Sequence, residues 1–92
     1  MKFKKSLGNE FGGKKILITG GTGSIGIGLI KQLLPYKPKL IRVLTNDENS
    51  IFEARKKFQK YTNICFEIGD VRDRDRLYLA IRNIDIVFHA AA

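Results

Sequence analysis

Four short apolar runs lie along this chain, and a stretch with helical spacing separates each from the next. That alternation constrains the fold more than any other feature. The runs "KILIT" (15–19), "LIRVL" (40–44), "NICFEIG" (63–69) and "IDIVFHA" (84–90) read as strands. The first has no polar alternation, as expected of a strand buried on both faces. In "SIGIGLIKQLL" (24–34), Ile25, Leu29, Ile30, Leu33 and Leu34 form a helical stripe that Pro35 and Pro38 bring to an end. A second helix carries Ile51, Ala54 and Phe58, with Arg55 at the edge of its apolar side and Asn49 or Ser50 as its cap. A third follows its cap Asp73 and carries Leu77, Ala80 and Ile81. Strands that alternate with helices require a parallel sheet with right-handed crossovers. The predicted fold is therefore α/β, in the order βαβαβαβ, with strands arranged 3-2-1-4 as in the first half of a doubly wound sheet.

A chain of 92 residues holds one small domain with a thin core. Residues 1–13 read as a basic, flexible tail and 14–92 as the domain, truncated after the fourth strand. The formal charge is +8, and its distribution matters more than its size. Five lysines fall in the first fifteen residues, while Arg55, Lys56, Lys57 and Lys60 mark the polar side of one helix. "RDRDR" (72–76) alternates in sign and cancels much of its own field. No aromatic residues interleave with the basic ones, and no helix-turn-helix or zinc-finger spacing is present. The pattern describes a solvated surface rather than a nucleic-acid interface. No apolar stretch reaches the length of a membrane span or of a signal peptide, which places the chain in the cytoplasm. Cys65 is the only cysteine, so no internal disulfide forms, and its apolar setting predicts a buried, inert thiol.

The decapeptide "TGGTGSIGIG" (19–28) holds five glycines directly after the first strand. Glycine inside regular structure costs about 0.5–1 kcal/mol relative to alanine, so such a cluster implies that something approaches the backbone closely. A glycine-rich turn opening a helix presents free N–H groups at the positive end of the helix dipole, which suits a diphosphate. Gly21-x-Gly23-x-x-Gly26 fits the dinucleotide fingerprint, and Gly20-x-x-Gly23-x-x-Gly26 fits a wider variant. In both, Gly23 admits the diphosphate and Gly26 lets the helix pack tightly, while Gly28 serves helix–sheet packing. A P-loop is excluded, because no Gly-Lys-Ser/Thr closes the turn. At the end of the second strand, where a carboxylate would bind the ribose of NAD, stand Thr45, Asn46 and Asp47. Thr45 brings no charge against a 2′-phosphate, but no arginine stands beside it. Asp47 serves either the ribose or the turn. NADP is favoured slightly, with NAD left open.

"TGGTGSIG", "GDVRD" (69–73) and "FHAAA" (88–92), in that order, resemble the extended short-chain dehydrogenase/reductase superfamily. Within it, the chain is similar to the N-terminal portion of the nucleotide-sugar dehydratases and epimerases of polysaccharide biosynthesis, such as UDP-N-acetylglucosamine 4,6-dehydratases. The likeness runs from about Lys14 to Ala92. It implies a Rossmann-type half-domain in which Gly20, Gly23 and Gly26, with the backbone around Thr22, Ser24 and Ile25, hold the diphosphate. It implies that Asp70 and Val71 meet the adenine, and that His89, Ala90 and Ala91 line the floor beside the nicotinamide-side ribose. For Asp70 alone, the plainer role is capping the next helix; for His89 alone, it is a satisfied strand-end histidine. Relatives in this group often carry an arginine where this chain has Asn46.

Catalysis in that superfamily needs a tyrosine and a lysine four residues later. Four residues after Tyr36, Tyr61 and Tyr78 stand Leu40, Cys65 and Arg82, so no catalytic residue and no metal site is assigned. The resemblance implies the cofactor-binding part of a nucleotide-sugar dehydratase or epimerase, with the sugar bound only by a complete enzyme. The alternative is a stand-alone, non-catalytic dinucleotide-binding module. A sheet of four strands also leaves an edge open, which predicts self-association or a C-terminal partner piece.

Overall fold

The computed structural model describes residues 8–90. Its elements are α1 (Gly8–Phe11), β1 (Lys15–Thr19), α2 (Ser24–Leu33), β2 (Leu40–Thr45), α3 (Glu48–Lys57), β3 (Ile64–Ile68), α4 (Arg74–Ile81) and β4 (Ile86–His89). A 3-10 turn, Leu34–Tyr36, follows α2 and carries Pro35 near its start. The strands form one parallel sheet in the order β3-β2-β1-β4, as the alternation predicts. Ile16 of the central β1 is paired with Ile41 on one side and Ile86 on the other.

The two faces of the sheet are covered unequally. Ile16, Ile18, Ile41, Val43 and Phe66 meet Leu29, Ile30 and Leu33 of α2, Ile51 and Ala54 of α3, and Phe58 directly after it. On the opposite face Leu17 and Leu44 meet Ala80 of α4, with Val71, Leu77 and Ile84 packed around them. The helices change faces between α3 and α4. In sheets of this topology that change opens a crevice at the carboxyl ends of the strands.

Four expectations are corrected. Part of the supposed tail is built into the fold: α1 turns the chain so that Phe11 is buried, its ring 5.9 Å from Tyr36 and 6.0 Å from Phe88. A large ring gains enough from burial to order the turn that carries it, and Gly13 N donates to Lys37 O at 3.1 Å to hold that turn. Residues 1–7 lie outside the described residues. Helix α3 is capped by Asp47, not by Asn49 or Ser50, because its carboxylate is placed to accept from both of their backbone amides. Ile25 is 62% exposed, since the first turn of α2 projects past the strand ends and burial begins at Gly26.

The fourth concerns Cys65, which is exposed on the α4 face of the sheet. Its environment disfavours the thiolate. Partial burial, the Glu67 charge and the hydrogen bond to Glu67 together push its pKa above the ordinary value.

Candidate functional site

The candidate residues collect at the carboxyl ends of the strands. Just past β1, Gly20 takes φ +69°, a conformation in which a Cβ is strained, and its amide donates to Leu44 O at 2.7 Å. The chain then folds tightly onto itself. A Cβ on Gly21 would lie 2.5 Å from Val43 Cγ1, and one on Gly26 would lie 2.2 Å from Gly21 Cα. The first turn of α2 therefore rests directly on the loop backbone, which is the packing role expected of Gly26. Gly28 differs: a Cβ there would meet nothing within 4 Å, so no close contact with the sheet explains it.

Gly23 is the N-cap of α2, and no side chain makes a capping bond there. The first intrahelical bond runs from Ile27 N to Gly23 O at 2.9 Å. The amides of Ser24, Ile25 and Gly26 precede it and have no acceptor within the helix. A Cβ on Gly23 would find open space, so the missing side chain leaves room beside those donors. Three amides at the positive end of a ten-residue helix, facing a gap kept clear of side chains, fit a diphosphate.

Around the end of β2 three hydroxyls are linked. Ser50 Oγ lies 2.6 Å from Thr22 Oγ1, which lies 3.0 Å from Thr45 Oγ1. Thr45 Oγ1 also accepts from Asp47 N at 3.2 Å, and Thr45 is buried. The Asp47 carboxylate caps α3, which is the turn role of the two expected for it. A cleft of about 470 Å³ opens from Thr22 and Ser50 toward Lys56 and Lys57.

Between the ends of β2 and β3 lies a small hollow of about 70 Å³, lined by Gly20, Leu44, Thr45, Asn46, Gly69, Asp70 and Val71. Asp70 does not cap α4; Asp73 does, accepting from Arg76 N at 3.2 Å. Arg72 instead grips the Asp70 carboxylate, with Nη2 2.7 Å from Oδ2 and its backbone N 2.9 Å from Oδ1. Those bonds, led by the side-chain one and joined by a bond from Asn46, hold the Asp70 pKa down at about 2. The carboxylate thus stands charged at neutral pH at the rim of the hollow, with both oxygens held by Arg72. On the far side of β1, His89 Nδ1 lies 2.6 Å from Thr19 Oγ1, and Ala90 N donates to Thr19 O at 2.8 Å. His89 is a paired strand-end histidine there. Ala91 lies outside the described residues.

The structure thus unites the glycine loop, residues 45–47 and residues 69–71, and sets His89 and Ala90 across β1 from them. Two contributors were not assigned to the site from the sequence. Gly69 lines the hollow, and a Cβ on it would lie 2.7 Å from both Leu44 Cδ1 and Arg76 Cγ. Its signal was present, since glycine directly before Asp70 at a strand end marks a close approach. Ser50 had no local signal, because its partner is 28 residues away.

A parallel 3-2-1-4 sheet with a glycine-lined helix start, without a side-chain cap, at its strand ends defines a Rossmann-type fold. More particularly, the chain belongs to the family described as "Polysaccharide biosynthesis protein", which it matches over residues 16–92. A Methanocaldococcus jannaschii protein described as an uncharacterized membrane protein is 50% identical over 88 residues, covering 96% of this chain and 26% of that protein. The inverting UDP-N-acetylglucosamine 4,6-dehydratase of Campylobacter jejuni is 51% identical over 83 residues, covering 89% of this chain and 25% of that enzyme. Among solved structures, Pen from Bacillus thuringiensis superposes with a TM-score of 0.86 at 44% identity, covering 89% of this chain and 25% of that one. The chain spans about a quarter of the length of these relatives. Among the described residues, no helix is long and apolar enough to cross a membrane.

Proposed function

We propose that this chain is the cofactor-binding part of a nucleotide-sugar 4,6-dehydratase or epimerase of polysaccharide biosynthesis, acting in the cytoplasm. One observation carries the cofactor reading: the uncapped start of α2, where the amides of Ser24, Ile25 and Gly26 face the space left by Gly23. The loop Gly20–Gly26 holds the diphosphate of a nicotinamide dinucleotide. Thr45 and Asn46 flank the adenosine ribose, Asp70 and Val71 the adenine, and His89, Ala90 and Ala91 the nicotinamide-side ribose. When bound, the nicotinamide takes up and returns a hydride at the sugar. The nucleotide-sugar assignment rests on family membership and on the Campylobacter relative.

The preferred dinucleotide in this reading is NADP. Asp47 uses one carboxylate oxygen to cap α3, Thr45 brings no charge to the strand end, and the neighbouring cleft carries Lys56 and Lys57, with Glu53 beside them, toward a 2′-phosphate. No tyrosine of the chain has a lysine four residues on, so no catalytic residue is assigned within it. The test is a fluorescence titration of the purified chain with NADPH and NADH. Saturable binding, tighter for NADPH, is expected. No response to either at millimolar concentration refutes the cofactor reading, and tighter NADH binding refutes only the preference.

A further inference from the structure

We propose that Ser50 is a positioning residue for the diphosphate loop, acting through Thr22; this rests on the cofactor reading above. Thr22 is the one loop residue with a side chain between Gly21 and Gly23, so its backbone neighbours offer little conformational restraint. Its restraint comes from outside the loop. Thr22 Oγ1 sits between Ser50 Oγ at 2.6 Å and Thr45 Oγ1 at 3.0 Å. Thr45 is buried at the end of β2, and Ser50 lies in the first turn of α3. Both anchors are thus on regular elements.

Each anchor is itself fixed. Ser50 N is held by the Asp47 carboxylate at 3.3 Å, and Ser50 Oγ lies 3.1 Å from Asp47 O. Thr45 Oγ1 accepts from Asp47 N. The chain of hydroxyls fastens the glycine loop to two elements that take no other part in gripping a diphosphate. A loop already held in its binding conformation avoids the entropy of ordering when ligand arrives. The capping of α3 uses Ser50's backbone amide, whereas the latch uses its hydroxyl. Removing the hydroxyl therefore keeps both bonds to the Asp47 carboxylate and gives up, besides the latch, only the Ser50 Oγ contact with Asp47 O.

The experiment compares the full chain with Ser50→Ala, Ser50→Thr, Thr22→Val and the Ser50→Ala/Thr22→Val double variant. NADP+, ADP and adenosine serve as probes in NMR titrations, with thermal melts alongside. Loss of one hydrogen bond of this kind corresponds to roughly three- to tenfold in affinity. The expected result is that Ser50→Ala weakens NADP+ and ADP by that factor and leaves adenosine unchanged. Ser50→Thr keeps the hydroxyl and restores binding, and the double variant is no weaker than Thr22→Val alone.

The proposal is overturned by equal weakening of all three probes, or by unchanged affinity for NADP+ in Ser50→Ala whether or not its melting temperature falls. If the unaltered chain binds none of the probes, the cofactor reading itself has failed. If it binds them and Ser50→Ala binds them as tightly, only the positioning role has failed.

Discussion

Three glycines of the same decapeptide make opposite predictions, because their missing side chains face different surroundings. At Gly26 a Cβ would collide with Gly21 backbone at 2.2 Å, and backbone cannot swing aside as a flexible side chain can. Gly26→Ala is expected to cost at least about 2 kcal/mol, read as a lower denaturant midpoint. At Gly28, inside α2, a Cβ meets nothing, so Gly28→Ala removes only the entropic cost of glycine in a helix. It is expected to gain about 0.5–1 kcal/mol, raising Tm by roughly 2–6 °C. Gly23→Ala separates stability from binding. Its φ of −80° suits any residue, and the space is open, so stability changes by less than about 1 kcal/mol. The new methyl group stands where a diphosphate would lie, and NADPH affinity is expected to fall at least tenfold by fluorescence titration. A Gly23→Ala protein that binds NADPH normally would show that the space is not the ligand's.

Helix α4 is held differently from α2 and α3, and the difference shows what the sequence made legible. The strands and the helices on the thick face follow from apolar periodicity, because burial fixes which residues recur and at what spacing. The cap of α3 did not follow, since Asn46, Asp47, Asn49 and Ser50 are all good capping residues and local pattern does not choose among them. Nor did the docking of α4, which depends on charges distant in sequence. Glu67 lies 2.7 Å from Arg76 Nη2 and 3.1 Å from Arg42 Nε, while Arg42 Nη1 donates to Ala80 O at 2.8 Å. "RDRDR" thus carries specific pairs as well as a cancelled field. Burial pushes the Glu67 pKa up, but the Arg76 hydrogen bond, the Arg42 charge and the Cys65 thiol pull it down by more, so it lies below its ordinary value. Asp70 is also depressed, by Arg72 first. A carboxylate depressed in the folded state stabilises it above the unfolded pKa and loses that support as pH falls through the folded pKa. Stability is expected to stay level from pH 7 to about pH 5 and to decline between 4.5 and 2. Glu67→Gln should cost about 1–2 kcal/mol at pH 7 by urea unfolding, and the gap should narrow as pH falls below the ordinary glutamate range. A gap unchanged with pH would mean that Glu67 acts through packing rather than charge.

At the scale of the whole molecule, the unequal faces govern how the chain behaves alone. Of the described residues, twelve buried ones fill the core on the α2/α3 face, whereas three fill the α4 face. Among the described residues β4 pairs only with β1, so the outer edge of this strand keeps its backbone donors and acceptors unpaired by sheet. Val87 on that strand is 49% exposed, and Tyr78, Leu79 and Ile81 of α4 are exposed beside the thin core. Unpaired edges next to exposed apolar side chains favour association, which removes both from water. The basic surface opposes it, because like charges repel, and that repulsion weakens as salt screens it. The two effects separate experimentally. Association through the edge and apolar side chains should grow with salt, whereas association through charge should fade. Sedimentation velocity of the 92-residue chain across a concentration series, at low and at high salt, reads this directly. Self-association that rises with concentration and strengthens with salt is expected, together with a Tm that increases with protein concentration. A Val87→Lys variant places charge at the open edge and should shift the population toward monomer without lowering the monomer's stability by more than about 0.5 kcal/mol. A sharp, concentration-independent melt of a monomer at both salts would show that the α4 face and the β4 edge are stable exposed to water.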